Sequence, residues 1–428
     1  MRILFLCNKS PWPAKEGGPM AMNMLIEGMA DAGHQVKVLA VNSFKYNIRQ
    51  SDIPDSYVKK TGIELIDVDL RVKPFDAFLN LFTDASYHVK RFNSASFRKR
   101  VIDVLSEGEY DVVQLETLFM CPYIEAIRAH SNARIVLRAH NIEHLIWQRV
   151  SDEAANPARK WYIRHLAQTL KKYEQNIVSR VDGVLAITPT DAAFFRGLFP
   201  EKLPDSSNVN CHSSLAPPSS ASLRFVNRHS SFIIDLPYGL EPDIYRVDDS
   251  ETEYPSLFSL GSMNWIPNQD GIRWFLDQVW PDVHRQFPKL KYYIAGREMP
   301  GWMRSLDVPN VVVLGEVEDA PAFLASKAIM IVPLFSGSGI RVKIIEGMAA
   351  GKTIISTTIG AEGISYTNRE NILIADAPCE FFEMISLGVM DSEICKKIGK
   401  RARVLIETTY HAKNLLQKLL AFYQQLGE

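Results

Sequence analysis

The run Val332-Pro333-Leu334-Phe335-Ser336-Gly337-Ser338-Gly339-Ile340-Arg341-Val342-Lys343-Ile344-Ile345-Glu346-Gly347-Met348-Ala349-Ala350-Gly351 reads as a strand, a loop of small residues and a helix closed by glycine. That layout suits a phosphate. Gly337 and Gly339 let the backbone approach a ligand closely, and the N–H groups that open the next helix have no partner within it, so they can hold a diphosphate without metal. Lys343 and Arg341 bring positive charge, and Ser338, Gly339 and Ile340 form the loop that meets the ligand. Glu346 carries a carboxylate able to accept hydrogen bonds from two neighbouring hydroxyls, ribose being the natural candidate. The plainer alternative is an ordinary Gly/Ser turn followed by a solvated Lys343–Glu346 pair.

Two groupings in the first half have related potential. Lys15-Glu16-Gly17-Gly18 lies in the loop after the first strand, where Gly17 and Gly18 permit close approach to phosphates, although a Gly-Gly pair also makes a simple turn. Arg138-Ala139-His140-Asn141-Ile142-Glu143-His144 follows another strand and gathers a cation, two imidazoles and a carboxylate at a sheet edge. Glu143 can orient a hydroxyl there; a helix cap or a surface pair is the alternative for it and for His144. The His140-x-x-x-His144 spacing invites a zinc reading, but the helical HExxH pattern is missing and no metal is expected.

These residues need a frame of strands and helices. Arg2 to Cys7 is a buried strand, and Met22, Leu25, Ile26 and Met29 then recur at helical spacing before Gly33 and a second strand, Gln35 to Val41. Further strands are predicted at Ile63 to Val68, Asp111 to Leu115, Ala133 to Arg138, Gly183 to Thr188 and Phe232 to Pro237. After Pro237-Tyr238-Gly239 the alternation restarts, with strands at Ser256 to Leu260, Leu290 to Ala295, Val311 to Leu314, Ala328 to Pro333, Thr353 to Ser356 and Ile372 to Ala375. Short apolar runs alternating with helical segments mark parallel sheets covered on both faces, so the fold class is α/β with two Rossmann-like, doubly wound domains. Two such sheets facing one cleft would bring a site to their carboxyl ends. The expected domains are 1–236, containing a Ser/Pro/Asn-rich surface insertion at 201–231, and 237–410. A helix at 411–428 remains to be placed, with packing back on the first domain as one option.

At 428 residues the chain suits two domains of roughly 200 residues. Its formal net charge of -1 gives no general attraction to polyanions, and no nucleic-acid partner is expected. Five scattered cysteines without a CxxC pair argue against a disulfide framework or structural zinc and favour a reducing cytoplasm. Lys90-Arg91 and Arg98-Lys99-Arg100 flank Phe92 and Phe97, with Phe75, Phe78, Leu79, Leu81 and Phe82 just before them. Such a 75–100 region can dock on anionic lipid at the inner face of the cytoplasmic membrane, although a charge run is more often a solvated helix face.

Several ordered segments resemble the retaining glycosyltransferases of the GT-B fold known as group 1 or family 4. The matching elements are Gly315-Glu316-Val317-Glu318-Asp319, Pro333, Gly339, Lys343, Glu346, Met348-Ala349 and Gly360-Ala361-Glu362-Gly363-Ile364. Gly261-Ser262-Met263-Asn264-Trp265-Ile266-Pro267-Asn268 is similar to the first strand and loop of the family's donor domain, and Pro237-Tyr238-Gly239 to its hinge. The resemblance implies a nucleoside-diphosphate sugar as donor substrate, no permanently bound cofactor and metal-independent chemistry. Glu346 would hold the ribose and Lys343 would lie near the diphosphate. His140 would touch the transferring sugar, and Gly17, Gly18 and Asn268 complete the donor-side candidates. The chain departs from the pattern at Ser338, where many members have a glutamate that contacts the sugar. It also has Met263, Asn264 and Asn268 where an arginine and a lysine are common.

The expected function is therefore transfer of a sugar to a hydroxyl of a saccharide or lipid-linked acceptor, in polysaccharide or cell-envelope glycan synthesis, with catalytic roles for His140, Lys343 and Glu143. A nucleotide-sugar epimerase on the same fold would need paired acid/base groups, which His140, Glu143 and His144 offer. A non-catalytic, two-lobed ligand-binding protein is the third reading.

Overall fold

Short β-branched runs that are apolar on both faces can be buried only under helices on both sides, and that is how the strands are used. The computed structural model describes residues 1–14, 16–199, 232–245, 250, 252–337 and 339–427. The expected insertion at 201–231, together with Lys15 and Ser338, lies outside the described residues. One sheet has the order β3-β2-β1-β4-β5-β6-β7. It is built from β1 (Arg2–Cys7), β2 (Gln35–Asn42), β3 (Glu64–Asp67), β4 (Val112–Glu116), β5 (Arg134–Ala139), β6 (Gly183–Ala186) and β7 (Ile233–Asp235). The other has the order β10-β9-β8-β11-β12-β13. Its strands are β8 (Glu253–Ser262), β9 (Lys291–Arg297), β10 (Val311–Gly315), β11 (Lys327–Val332), β12 (Thr353–Ser356) and β13 (Leu373–Ile374). All the strand pairings within both sheets are parallel.

The strands predicted from sequence are present, with their ends adjusted by local chemistry. β6 stops at Ala186 rather than Thr188, because Thr188 caps the Pro189–Gly197 helix by accepting from the Asp191 N–H. β7 is shorter than the apolar run suggests and ends before Pro237, which has no N–H to add to a ladder. β8 is longer than predicted, at ten residues, and pairs with both β9 and β11.

The chain divides into two units, Met1–Pro237 with Leu416–Glu428, and Tyr238–Leu415. Each sheet belongs to one unit. The core of the first runs through Leu4, Leu6, Val113, Leu115, Ile135 and Leu137, and that of the second through Leu257, Ile294, Ile329, Ile331 and Ile355. The helix Ala412–Gly427 places Leu419, Phe422, Tyr423 and Leu426 in buried positions. Two glycines make room for its first-unit portion. A Cβ built on Gly28 would sit 2.3 Å from a Leu416 methyl, and one on Gly183 would sit 2.6 Å from the Phe422 ring.

Candidate functional site

In both sheets the strand order reverses beside the first strand of the unit, between β1 and β4 and between β8 and β11. The crevice beyond the carboxyl ends at such a switch point is where open α/β sheets bind ligands. In the second unit, β11 ends at Val332 and the chain passes through Gly337 (φ 119°) and Gly339 (φ 76°) before the helix Val342–Ala349 begins. A Cβ at Gly337 would lie 2.8 Å from the Arg341 guanidinium and 3.0 Å from the Trp265 ring, so this position has neither the backbone freedom nor the space for a side chain. Ile340 follows Gly339, half-buried. The Arg341 side chain makes no cap bond to the helix start, and the Val342 and Lys343 N–H groups come before the first one bonded within the helix, that of Ile344 to the Arg341 carbonyl.

Arg341 is buried, its Nη1 donates to the Gly339 carbonyl at 2.6 Å, and the guanidinium lies 5.5 Å from the Trp265 ring centre. It thus braces the glycine loop from within. Lys343, half-buried, donates through Nζ to Asn268 Oδ1 at 2.7 Å, and Asn268 Nδ2 donates to the Ser262 carbonyl at 2.8 Å. Gly261 at the end of β8 admits both: its Cβ would stand 3.1 Å from Asn268 Nδ2 and 3.6 Å from Lys343 Nζ. Burial, aided by the nearby Arg341 charge, pushes the Lys343 ammonium down to about 7.

Glu346, one turn further on, accepts from the Tyr245 hydroxyl at 3.1 Å. Burial raises its pKa, and the Tyr245 bond opposes the rise. Tyr245 is itself held from behind. Arg403 Nη1 donates to the carbonyls of Pro242 at 2.7 Å, of Tyr245 at 3.2 Å, and of Ala349. That clamps the Pro242–Tyr245 turn to the end of the Glu346 helix. Along the same sheet edge a cavity of about 270 Å³ opens beyond β9 and β10, lined by Gly296, Glu298, Met299, Arg304, Gly315 and Glu316, among others.

In the first unit, Gly17 and Gly18 open the helix Gly17–Asp31, again without a side-chain cap. A Cβ on Gly18 would sit 3.2 Å from Lys9 Cε, and Lys9 pairs with Glu16 at 3.1 Å. His140, just beyond β5, donates through Nε2 to Glu116 Oε2 at 2.6 Å. Glu116, the last residue of β4, is fully buried, and Arg138 lies 3.8 Å from it with Nη1 donating to the Ala21 carbonyl at 2.8 Å. Burial alone would raise the Glu116 pKa, but Arg138 and the bonds from His140 and Gln114 hold it below its ordinary value. β4 ends abruptly after Glu116, since Thr117 adopts φ 82°, a region β-branched residues rarely enter.

His144 is engaged elsewhere: its Nδ1 lies 2.5 Å from Glu174 Oε2, and Glu174 Oε1 also accepts from the Glu143 N–H at 2.9 Å. Glu174 comes from the long helix Pro157–Val178 and so caps the start of the helix Glu143–Glu153. Burial and the Glu174 charge push the Glu143 carboxyl up to about 7, the range of a group that can both hold and release a proton at neutral pH. Among the described residues no cluster of three His, Cys, Asp or Glu side chains could hold a metal ion.

Sequence reasoning passed over Glu116, Gln114 and Tyr245, and gives Tyr423 only a packing role beside Leu415, Leu416 and Leu419 on the last helix. For the first two a signal existed: a strand buried on both faces should be uniformly apolar, and two polar residues spaced i, i+2 point to one face. Nothing local marks Tyr245 or Tyr423, whose partners lie 101 and 309 residues away in the chain.

A family description, Glycosyl transferases group 1, matches residues 254–387. An uncharacterized 44.6 kDa protein in the cps region of Klebsiella pneumoniae is 19% identical over 427 residues, covering 98% of each chain. Among solved structures, Anabaena HepE in complex with UDP is similar at a TM-score of 0.64 and 12% identity, covering 99% of this chain and all of its own. Sucrose-phosphate synthase from Thermosynechococcus elongatus gives a TM-score of 0.67 at 14% identity over 100% of this chain and 99% of its own. At these identities the structural likeness concerns the fold, which is GT-B.

Proposed function

Since the chain is a glycosyltransferase whose residues 254–387 belong to group 1, we propose that it moves a hexose-like unit from a nucleoside-diphosphate sugar to a hydroxyl of a saccharide or lipid-linked acceptor. The observation that carries this reading is the placement of Lys343 and Glu346 on the one helix that leaves the Gly337–Gly339 loop at a topological switch point. The uncapped helix N–H groups and the Lys343 ammonium take the diphosphate, Asn268 aims the lysine, and Glu346 takes the ribose hydroxyls. The cavity beyond β9 and β10 is two to three strands away, about 10–14 Å along the sheet edge, a span that suits the base of the same nucleotide. Gly339 and Ile340 let the backbone follow the phosphates, while Arg341 keeps the loop open.

In this chemistry the barrier falls through positioning and through stabilising charge on the departing diphosphate, so fixed N–H groups and Lys343 matter more than a strong nucleophile. His140 aligns the transferring sugar, Gly17 and Gly18 leave room for phosphate, and Glu143 orients the acceptor hydroxyl. Retention of configuration is the expected outcome. The Klebsiella relative's place in a cps region supports polysaccharide synthesis as the setting.

The direct test is a thermal-shift and calorimetric screen of UDP, GDP, ADP and their sugar conjugates, with and without magnesium, UDP-glucose first because HepE is described in complex with it. One nucleotide class should raise the midpoint equally in both conditions. A shift that requires magnesium, or none with any nucleotide, would overturn the reading. The anomeric configuration of the product, read by NMR, then checks retention.

A lipid-linked acceptor would favour a surface that reaches the membrane. No helix among the described residues is long and apolar enough to cross one, but Phe75 and Phe82 are 71% and 75% exposed, with Phe78 and Leu79 between them. Phe92 and Phe97, expected in the same surface, are instead buried in the core of the first unit, and Arg100 is paired with Glu64 and Glu107. We therefore propose that the exposed patch around Phe75 and Phe82, with Lys90 as its basic neighbour, docks on anionic lipid. Sedimentation with phosphatidylglycerol vesicles should fall about tenfold in a Phe75→Ser/Phe82→Ser variant, at two methylene-equivalents or more of lost burial. Equal sedimentation of variant and wild type would refute it.

A further inference from the structure

An unbroken line of hydrogen bonds runs from the C-terminal helix to His140, and its donor directions are fixed by chemistry. Glu116 as a carboxylate can only accept. Gln114 must therefore present its NH2 group to Glu116 Oε1, at 2.5 Å, which leaves its Oε1 to accept from the Tyr423 hydroxyl, as it does. By the same constraint His140 Nε2 must carry the proton it shares with Glu116 Oε2. Gln114, Glu116 and Arg138 are fully buried and Tyr423 is 2% exposed, so water does not compete for these bonds. Arg138 supplies the counter-charge that lets a carboxylate stay ionised here.

We propose that Glu116 is a positioning residue that locks His140 as the Nε2–H tautomer, so that Nδ1 meets the transferring sugar as a hydrogen-bond acceptor, with Tyr423 holding Glu116 through Gln114. This rests on the proposed contact between His140 and the sugar and adds to it a direction: the group recognised is a hydroxyl that donates. A sugar bearing only an acceptor at that position, such as a fluoro or O-methyl derivative, would find a lone pair facing a lone pair. Burial keeps the imidazole neutral against the pull of Glu116, which is the state in which the two ring nitrogens have opposite roles. The far anchor lies on the helix Ala412–Gly427, so the tautomer of a β5-end histidine depends on the last turns of the chain.

Four measurements on the full chain decide it. Ring ¹⁵N NMR of the unliganded protein, labelled in histidine and assigned with His140→Gln, should show Nε2 protonated and Nδ1 bare. Glu116→Gln offers an amide that can turn either face to the ring; kcat should fall about ten- to a hundredfold, the scale on which losing the outer partner that fixes the tautomer of a metal-bound histidine acts. KM for the donor should change less than about threefold. In a His140→Ala background the same change should add nothing, because the lost function passes through the ring. Tyr423→Phe removes a single hydroxyl and keeps the ring packed, so it serves if Glu116→Gln fails to fold; it should lower kcat a few-fold and shift the His140 ¹⁵N signals. A protonated Nδ1 in the wild type, or independent losses in the double variant, would overturn the lock alone. Wild-type transfer by His140→Ala would instead overturn the sugar contact beneath it.

Discussion

Lys343→Ala should lower the turnover number about 10²- to 10³-fold, the scale set by removing one preorganised donor from a developing oxyanion. The reason is local. Lys343 is held by Asn268 at the mouth of an uncapped helix, with Gly261 shaped to admit both. Its ammonium is pushed from the ordinary 10.5 down to about 7 by burial and by Arg341. The sign of the pH dependence follows. A diphosphate beside the lysine favours the charged form and raises its pKa in the complex, so binding takes up a proton above about pH 7. Affinity for a nucleotide sugar, whose own phosphates do not titrate there, should therefore decline as pH rises from about 7, by at most tenfold per unit. Lys343→Arg, always charged, should lose that slope while keeping much of the affinity. Calorimetry between pH 6 and 9 on the two proteins reads this directly; a slope that persists in the arginine variant would assign the proton to another group.

The same shift bears on stability. A lysine whose folded pKa is depressed favours its neutral form, so its cost is absent above 10.5, grows as pH falls and is complete below about 7. Lys343→Met should thus leave the unliganded midpoint at pH 7 unchanged or slightly higher while abolishing the pH-dependent binding. This separates loss of chemistry from loss of fold.

The parts legible in the sequence are those that local pattern determines. β11, its glycine loop and the helix carrying Lys343 and Glu346 are written in one continuous run, where strand-forming residues, two glycines at positive φ and a helical repeat follow in order. Strand positions were readable for the same reason, and alternation with helices determines a parallel sheet. The relations that tie distant segments together were not readable. Arg403 clamping the Tyr245 turn, Glu174 capping the Glu143 helix and Tyr423 reaching Gln114 each join residues 31 to 309 positions apart. Their side chains are ordinary for a helix surface or a turn until the fold buries them. Gln114 and Glu116 are the exception, since polar residues facing one way from a core strand are costly without a purpose.

Glu346→Ala should weaken binding of the nucleotide about 10- to 100-fold, corresponding to about 1.5–3 kcal/mol for hydrogen bonds to a charged group, and should do so with little effect on kcat at saturation. The contrast with Lys343 has a physical basis. A carboxylate on the ribose touches a part of the donor whose charge does not change during transfer, so its contribution is shared by ground state and transition state and appears in binding alone. Charge on the diphosphate grows as the sugar leaves, so the lysine contributes more at the transition state. Because burial raises the Glu346 pKa, the carboxylate is lost on acidification earlier than a solvated glutamate would be, and wild-type affinity should fall on the acid side where that of Glu346→Ala stays flat. A substrate-side cycle makes the assignment specific. Replacing the ribose by its 2′-deoxy form should cost affinity in the wild type and nothing further in Glu346→Ala, provided the carboxylate meets that hydroxyl; the 3′-deoxy analogue reports the second contact. Tyr245 supplies the control within the protein, since Tyr245→Phe removes the hydroxyl that Glu346 Oε1 accepts at 3.1 Å while leaving Arg403 free to hold the turn through backbone carbonyls. If Glu346 binds ribose, Tyr245→Phe should loosen the nucleotide a few-fold and preserve the discrimination against the deoxy analogues. Additive losses from Glu346→Ala and both deoxy analogues would place the ribose elsewhere and leave Glu346 as a structural partner of the turn.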